Sequence, residues 1–151
     1  IDVIKECLLP LTRVLTPNIP EAEILVGRKI VGECDCFVVA KELSTYYGVS
    51  VLLKAGHLSG NTLTDYFYNV ENDSLTLLSS MRVDTKNTHG TGCTLSSAFA
   101  AALAKGNDLT YAAKLAKKYI EQAIISGAEY EIGHGHGPVN HFFEFEKNNR
   151  W

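Results

Sequence analysis

Short apolar runs alternate along the chain with stretches in which apolar residues recur every three or four positions, and that alternation predicts an α/β fold. Residues 1–9 read as the end of a helix with Ile1, Ile4 and Leu8 on one face, closed by Pro10, whose ring clashes with the preceding turn. RVLTPN, residues 13–18, reads as a short buried strand that stops at Pro17. A helix follows from Pro20, whose fixed φ suits a first helical position, through Glu21, Ala22 and Leu25 to Gly27. Phe37, Ala40, Leu43 and Tyr47 recur at helical spacing and predict a second helix over about 35–47, which Gly48 breaks. VSVLLKAG, residues 49–56, has the nearly continuous apolar character of a parallel strand covered on both faces. LTDYFYNV and SLTLLSS, joined by the turn-rich ENDS, predict an antiparallel hairpin.

The strongest periodicity comes after the hairpin. Leu95, Ala98, Phe99, Ala102 and Leu103 form one helical stripe ending at Gly106, where a left-handed cap is expected. Asp108 stands as the N-cap of the next helix, whose stripe of Leu109, Ala112, Ala113, Ala116, Ile120, Ala123 and Ile124 runs to Gly127. So many alanines on both stripes imply close helix packing. The tail, GHGHGPVNHFFEF, reads as a glycine-rich loop followed by an aromatic segment.

Composition narrows the function classes. The 151 residues are 46% hydrophobic and 21% charged, with a formal net charge of −3, a length that suits one domain. No apolar run approaches membrane-spanning length, and mild acidity lacks the basic footprint of nucleic-acid binding, so neither nucleic acid nor membrane is an expected partner. The opening IDVIKECLLP lacks the basic and long apolar segments of a secretory signal. Cys7, Cys34, Cys36 and Cys93 have no zinc-site spacing, and the C-x-C pair is too close in sequence for an easy disulfide. A reducing cytoplasm is the expected compartment, with Cys7, Cys34 and Cys36 as small, partly buried apolar residues.

One segment asks for more than packing. NTHGTGC, residues 87–93, precedes the Leu95–Leu103 stripe, where unpaired backbone N–H groups point out of a helix's first turn. The helix dipole adds roughly half a positive charge there. Gly90 and Gly92 let a phosphate approach backbone that a Cβ would block, and Thr88 and Thr91 supply hydroxyl donors. The field that attracts phosphate also favours thiolate over thiol, which fits Cys93 to accept a proton. The same residues also read as a glycine turn with a capping threonine and a buried cysteine.

Four motifs in order, LTPNIPEAEIL, LLKAGH, NTHGTGCTLSSAFAAALAKG and IGHGHGPVNHF, resemble the C-terminal part of the hydroxymethylpyrimidine and phosphomethylpyrimidine kinases of thiamine biosynthesis, a branch of the ribokinase-like superfamily. The resemblance covers the chain from about residue 9. It implies a three-layer α/β/α fold with a mostly parallel central sheet, of which residues 1–151 form the C-terminal ATP-binding and catalytic part. It also implies transfer of the γ-phosphoryl group of ATP to 4-amino-5-hydroxymethyl-2-methylpyrimidine and then to its monophosphate. By the same resemblance Asn18 and Glu21 form an N-x-x-E element that positions Mg²⁺ and its waters, oxygen ligands suiting that hard cation. Lys54, at a strand end where open α/β sheets bind ligands, approaches the ATP phosphates, although it also reads as a solvated strand-end lysine. Gly90, Thr91 and Gly92 form the anion hole beside Thr88. Cys93 takes the position that more distant superfamily members fill with aspartate, as general base toward the substrate hydroxyl.

The family's long N-terminal half, with its pyrimidine pocket and an acidic segment that serves the metal, has no counterpart in these residues. The strands present are therefore expected to form a partial sheet with an exposed hydrophobic edge. Of three explanations, a fragment of a full kinase is favoured over a C-terminal chain that pairs with a separate N-terminal one and over a shortened non-catalytic relative. Isolated residues 1–151 are then expected to show little kinase activity, and the full-length protein to be a homodimer, as relatives commonly are. Other readings stay open: a pyridoxal or pyridoxamine kinase of the same superfamily, a non-catalytic nucleotide-binding module, or a hydrolase dyad of Cys93 with His57 or His89. A metal site on His134, His136 and His141 lacks any carboxylate or thiol cluster at useful spacing.

Overall fold

The computed structural model describes residues 1–56 and 60–148, so His57 lies outside the described residues. The chain forms two compact units, Ile1–Met81 and Arg82–Trp151.

The first unit opens with a π turn, Ile4–Leu8, and a 3-10 turn, Leu9–Leu11. The expected buried face of Ile1, Ile4 and Leu8 does not form: all three are exposed, and Leu9 is buried instead. The i→i+5 bonding of a π turn disrupts the spacing on which an α-helical face depends. After the two-residue strand β1, Val14–Leu15, helix α1 spans Ile19–Val26 with Pro20 in its first turn. Helix α2, Gly32–Tyr47, begins earlier than the periodicity predicts. Its buried stripe is Cys36, Val39, Ala40 and Leu43, whereas Phe37 is exposed. Two adjacent apolar stripes compete on this helix. The one turned inward puts the small Cys36 and Ala40 where α2 packs on the sheet.

That sheet runs β1-β2-β3-β4, with β2 at Ser50–Leu53, β3 at Thr62–Asn69 and β4 at Ser74–Met81. β1 and β2 pair in parallel, while β2–β3 and β3–β4 are antiparallel. Among the described residues the parallel part of the sheet is thus a single pair, extended by the predicted hairpin. Val51, Leu53, Tyr66 and Tyr68 face α1 and α2 in one core. Leu52 and Phe67, paired across β2 and β3, alternate to the opposite face and are equally buried. On the edge strand β4, Leu78 is buried but Leu77 and Met81 are exposed.

The second unit is built on α3, Thr91–Ala104, and α4, Leu109–Gly127, which pack against each other through Leu95, Phe99 and Ala102 on one side and the predicted alanine-rich stripe on the other. Asp108 caps α4, its Oδ1 accepting the Tyr111 N–H at 2.9 Å. The short helix α5, Phe143–Asn148, follows the glycine-rich loop. Its buried Phe143 sets its ring 5.2 Å from that of Tyr119 on α4.

The observed phase of α2 gives a direct test. Leu43→Ala is expected to destabilise the protein by about 2–5 kcal/mol in urea denaturation, and Phe37→Ala to change stability by no more than about 0.5 kcal/mol. The reverse order would place Phe37 in the core.

Candidate functional site

Because β1 and β2 run parallel, their C-terminal ends lie side by side. An isolated bridge between Asn18 and Lys54 carries the pairing past the strands, and the Lys54 N–H donates to the Pro17 carbonyl at 2.8 Å. Asn18 is the N-cap of α1. Its Oδ1 accepts the Glu21 N–H at 2.8 Å, and Glu21 Oε2 accepts the Asn18 N–H at 2.8 Å. The N-x-x-E element is therefore first a capping box, a signal that Asn followed three residues later by Glu carries on its own. Glu21 is exposed, and among the described residues its Oε1 accepts no hydrogen bond. One carboxylate oxygen is left for a hard divalent cation.

A carboxylate that motif reading missed fixes the strand end carrying Lys54. Regular β2–β3 pairing stops at Leu53 and Tyr66. Asp65, 5% exposed, then takes the next backbone donor, its Oδ1 accepting the Ala55 N–H at 3.0 Å. Its only trace in the sequence is a lone acid inside the aromatic run TDYFY.

In the second unit, Gly90 is the N-cap of α3, with φ 84° and ψ −2°, and no side chain caps the helix. That left-handed backbone is strained for any residue with a Cβ. The Thr94 N–H donates to the Gly90 carbonyl at 2.9 Å and the Thr91 N–H to the Thr88 carbonyl at 3.3 Å. Between them, the N–H groups of Gly92 and Cys93 meet no acceptor among the described residues. The Thr91 hydroxyl donates to the Thr88 carbonyl at 2.8 Å, so its proton is engaged inside the turn, while Thr88 itself is exposed. Cys93 is exposed, not the buried cysteine of the packing-only reading.

Cys93, Thr94 and His141 line a groove of about 810 Å³, with Lys105 and Lys118 also in its lining. Thr94 Oγ1 and His141 Nε2 lie 2.9 Å apart, and the Tyr119 hydroxyl donates to the His141 carbonyl at 2.9 Å. His141, which sequence reading weighed only as a metal ligand, thus shares the groove with Cys93. His136 Nδ1 lies 3.2 Å from the Lys86 carbonyl. Among the described residues no group of three or more His, Cys, Asp and Glu side chains is placed to hold a metal, and no helix is long and apolar enough to cross a membrane.

Residues 1–140 match the phosphomethylpyrimidine kinase family. The hydroxymethylpyrimidine/phosphomethylpyrimidine kinase of Rhizobium meliloti is 45% identical over 144 residues, a match covering 95% of this chain and 53% of the relative. Among solved structures, an ADP complex of Bacillus subtilis pyridoxal kinase is similar with a TM-score of 0.84 at 33% identity, covering 95% of this chain and 53% of that one. The phosphomethylpyrimidine kinase from Clostridium difficile is similar with a TM-score of 0.65 at 35% identity, covering 82% and 48%. The chain spans about half the length of these proteins.

The four thiols are unpaired but unequal. Cys7, Cys34 and Cys93 are exposed, whereas burial, with the Asp35 and Glu33 carboxylates adding to it, pushes the Cys36 thiol up to about 11. A brief iodoacetamide pulse at mildly alkaline pH is expected to alkylate the three exposed cysteines and to reach Cys36 only after unfolding, as read by peptide mass spectrometry. The unfolded chain releases the Cys36 proton near the ordinary 9.0 and the folded chain near 11. Between those values the unfolded state binds fewer protons, so this group's contribution to stability falls as pH climbs through the window. Equal labelling of all four cysteines in the native protein would mean that α2 does not cover Cys36.

Proposed function

The chain belongs to the phosphomethylpyrimidine kinase family, with its ribokinase-like α/β fold, and on that premise we propose that it is the nucleotide-facing part of an enzyme that transfers the γ-phosphoryl group of ATP to 4-amino-5-hydroxymethyl-2-methylpyrimidine and then to its monophosphate. The observation that carries this reading is the uncapped start of α3, where the Gly92 and Cys93 amides stand beside an exposed thiol.

The Gly90–Gly92 turn and the Cys93 amide act as the anion hole. Donors already fixed in place gain strength as charge spreads over the oxygens of the transferring group, and they need no reorganisation at that moment. The Thr88 hydroxyl adds a donor on the exposed side of the turn, and the Thr91 hydroxyl holds the turn closed through the Thr88 carbonyl. Cys93 Sγ takes the proton of the substrate hydroxyl as its oxygen attacks the γ-phosphorus and the bond to ADP breaks. Because phosphoryl transfer has a loose transition state, the amides contribute more than the base. In the first unit Lys54 offsets the charge of the ATP phosphates. The Glu21 Oε1 and the Asn18 carboxamide, oxygen donors of the kind a hard cation takes, would hold Mg²⁺. Mg²⁺, when bound, neutralises phosphate charge.

The full-length enzyme acts as a homodimer in a reducing cytoplasm, and the unpaired cysteines lend support to the compartment alone. A second reading, phosphorylation of pyridoxal or pyridoxamine, draws on the likeness to the Bacillus subtilis pyridoxal kinase. Competing the two alcohols for the complete enzyme separates these readings: the hydroxymethylpyrimidine is expected to be the better acceptor.

In the complete enzyme, Cys93→Ser is expected to lower kcat by about a hundredfold or more while the Kd for Mg·ATP changes by less than about twofold. Lys54→Ala is expected to act in the opposite sense, weakening Mg·ATP binding by about tenfold. Unchanged turnover in Cys93→Ser would remove the thiol from the mechanism.

A further inference from the structure

The turn that starts α3 is held from behind by a side chain to which the proposed chemistry gives no role. Asn87 is 1% exposed. Its Nδ2 donates to the carbonyls of Gly127 at 2.8 Å and Tyr130 at 2.7 Å, with that of Ala128 at 3.3 Å. These carbonyls lie where α4 runs out of helical partners for them. The Asn87 N–H donates to Thr85 Oγ1 at 3.1 Å, and the Thr85 hydroxyl donates to the Ala128 carbonyl at 2.9 Å. The other end of the carboxamide is not satisfied: Oδ1 is buried and has no hydrogen-bond partner among the described residues.

That oxygen occupies the space a side chain at residue 137 would need. A Cβ on Gly137 would clash with it, so any larger residue there must displace the Asn87 carboxamide. The same backbone then pins the next residues of the turn, with the His89 N–H donating to the Gly137 carbonyl at 3.0 Å and the Val139 N–H to the His89 carbonyl at 3.4 Å. Residues 87 and 89 are thus tied down on either side of Thr88, immediately before the left-handed Gly90. A buried acceptor left unpaired is unfavourable. Asn is nevertheless suited to the position, since its NH₂ offers two donors from one short, rigid stem, whereas the isosteric Asp would turn a carboxylate on the same carbonyls.

We propose that Asn87 is a positioning residue for the anion-accepting turn: anchored on the C-terminal end of α4 and covered by Gly137, it fixes where the Gly92 and Cys93 amides meet a phosphate. The proposal rests on the reading of that turn given under the function above.

The test is an amide ¹H–¹⁵N titration of the complete enzyme with Mg·ATP. In the wild type the Gly92 and Cys93 amides are expected to shift. Asn87→Ser, which removes the amide, and Gly137→Ala, which keeps it but displaces it, are each expected to weaken the affinity read at those two amides by about tenfold, the order expected for losing one charge-assisted hydrogen bond. Asp108→Ala removes the N-cap of α4 and serves as the control, lowering thermal stability without changing that affinity. If Asn87→Ser does not fold, Gly137→Ala decides. Wild-type affinity in the folded clamp variants, or equal weakening in Asp108→Ala, would overturn the role of Asn87 and leave the anion turn standing. Unresponsive Gly92 and Cys93 amides in the wild type would instead overturn the anion turn itself, and the role of Asn87 with it.

Discussion

Helix α3 begins on a left-handed glycine, and no side chain caps its first N–H groups. Asn18 caps α1 and Asp108 caps α4, whereas α2, like α3, starts without a capping side chain, although the Asp35 carboxylate takes the Val31 N–H just before it. Orphan donors at a helix start must be met by water or by a ligand, and together with the helix dipole they favour an anion. The supports around this start keep it open. The Thr91 hydroxyl turns inward to the Thr88 carbonyl, and the His89 backbone is paired with residues 137–139, so neither folds over the Gly92 and Cys93 amides.

The first unit solves a different problem, that of setting polar groups at the end of a parallel strand pair. The Asn18–Glu21 capping box serves both local structure and the proposed chemistry, since it orients Glu21 with one oxygen on the Asn18 N–H and leaves the other accessible. Lys54 is placed by backbone pairing to the same segment, and Asp65 ends the ladder just beyond it. A helix cap, a strand bridge and a buried carboxylate thus fix three residues whose sequence separation would otherwise leave them independent.

The sequence shows most clearly what is local and one-sided. The hairpin, the stripes of α3 and α4, the Asp108 cap and the glycine turn before Cys93 all rest on neighbours within a few residues, and each forms as its pattern predicts. On α2 the stripe was legible at Ala40, Leu43 and Tyr47 but not at Phe37, because Cys36–Val39 and Phe37 with its neighbour Val38 offer competing apolar positions and only packing on the sheet chooses between them. Nor was the entry segment, where π and 3-10 turns replace the expected helix face. Asp65 and Asn87 stayed hidden for a third reason. Each earns its role from a backbone partner far along the chain, Ala55 for one and the Gly127–Tyr130 carbonyls for the other, which no local pattern announces.

The most direct measurement is a crystal structure of the protein with a non-hydrolysable ATP analogue and Mg²⁺. The expected result is a terminal-phosphate oxygen at about 3 Å from the Gly92 and Cys93 nitrogens, with Cys93 Sγ facing the side from which an alcohol would attack. Phosphates bound elsewhere, with those two amides still turned to solvent, would contradict it.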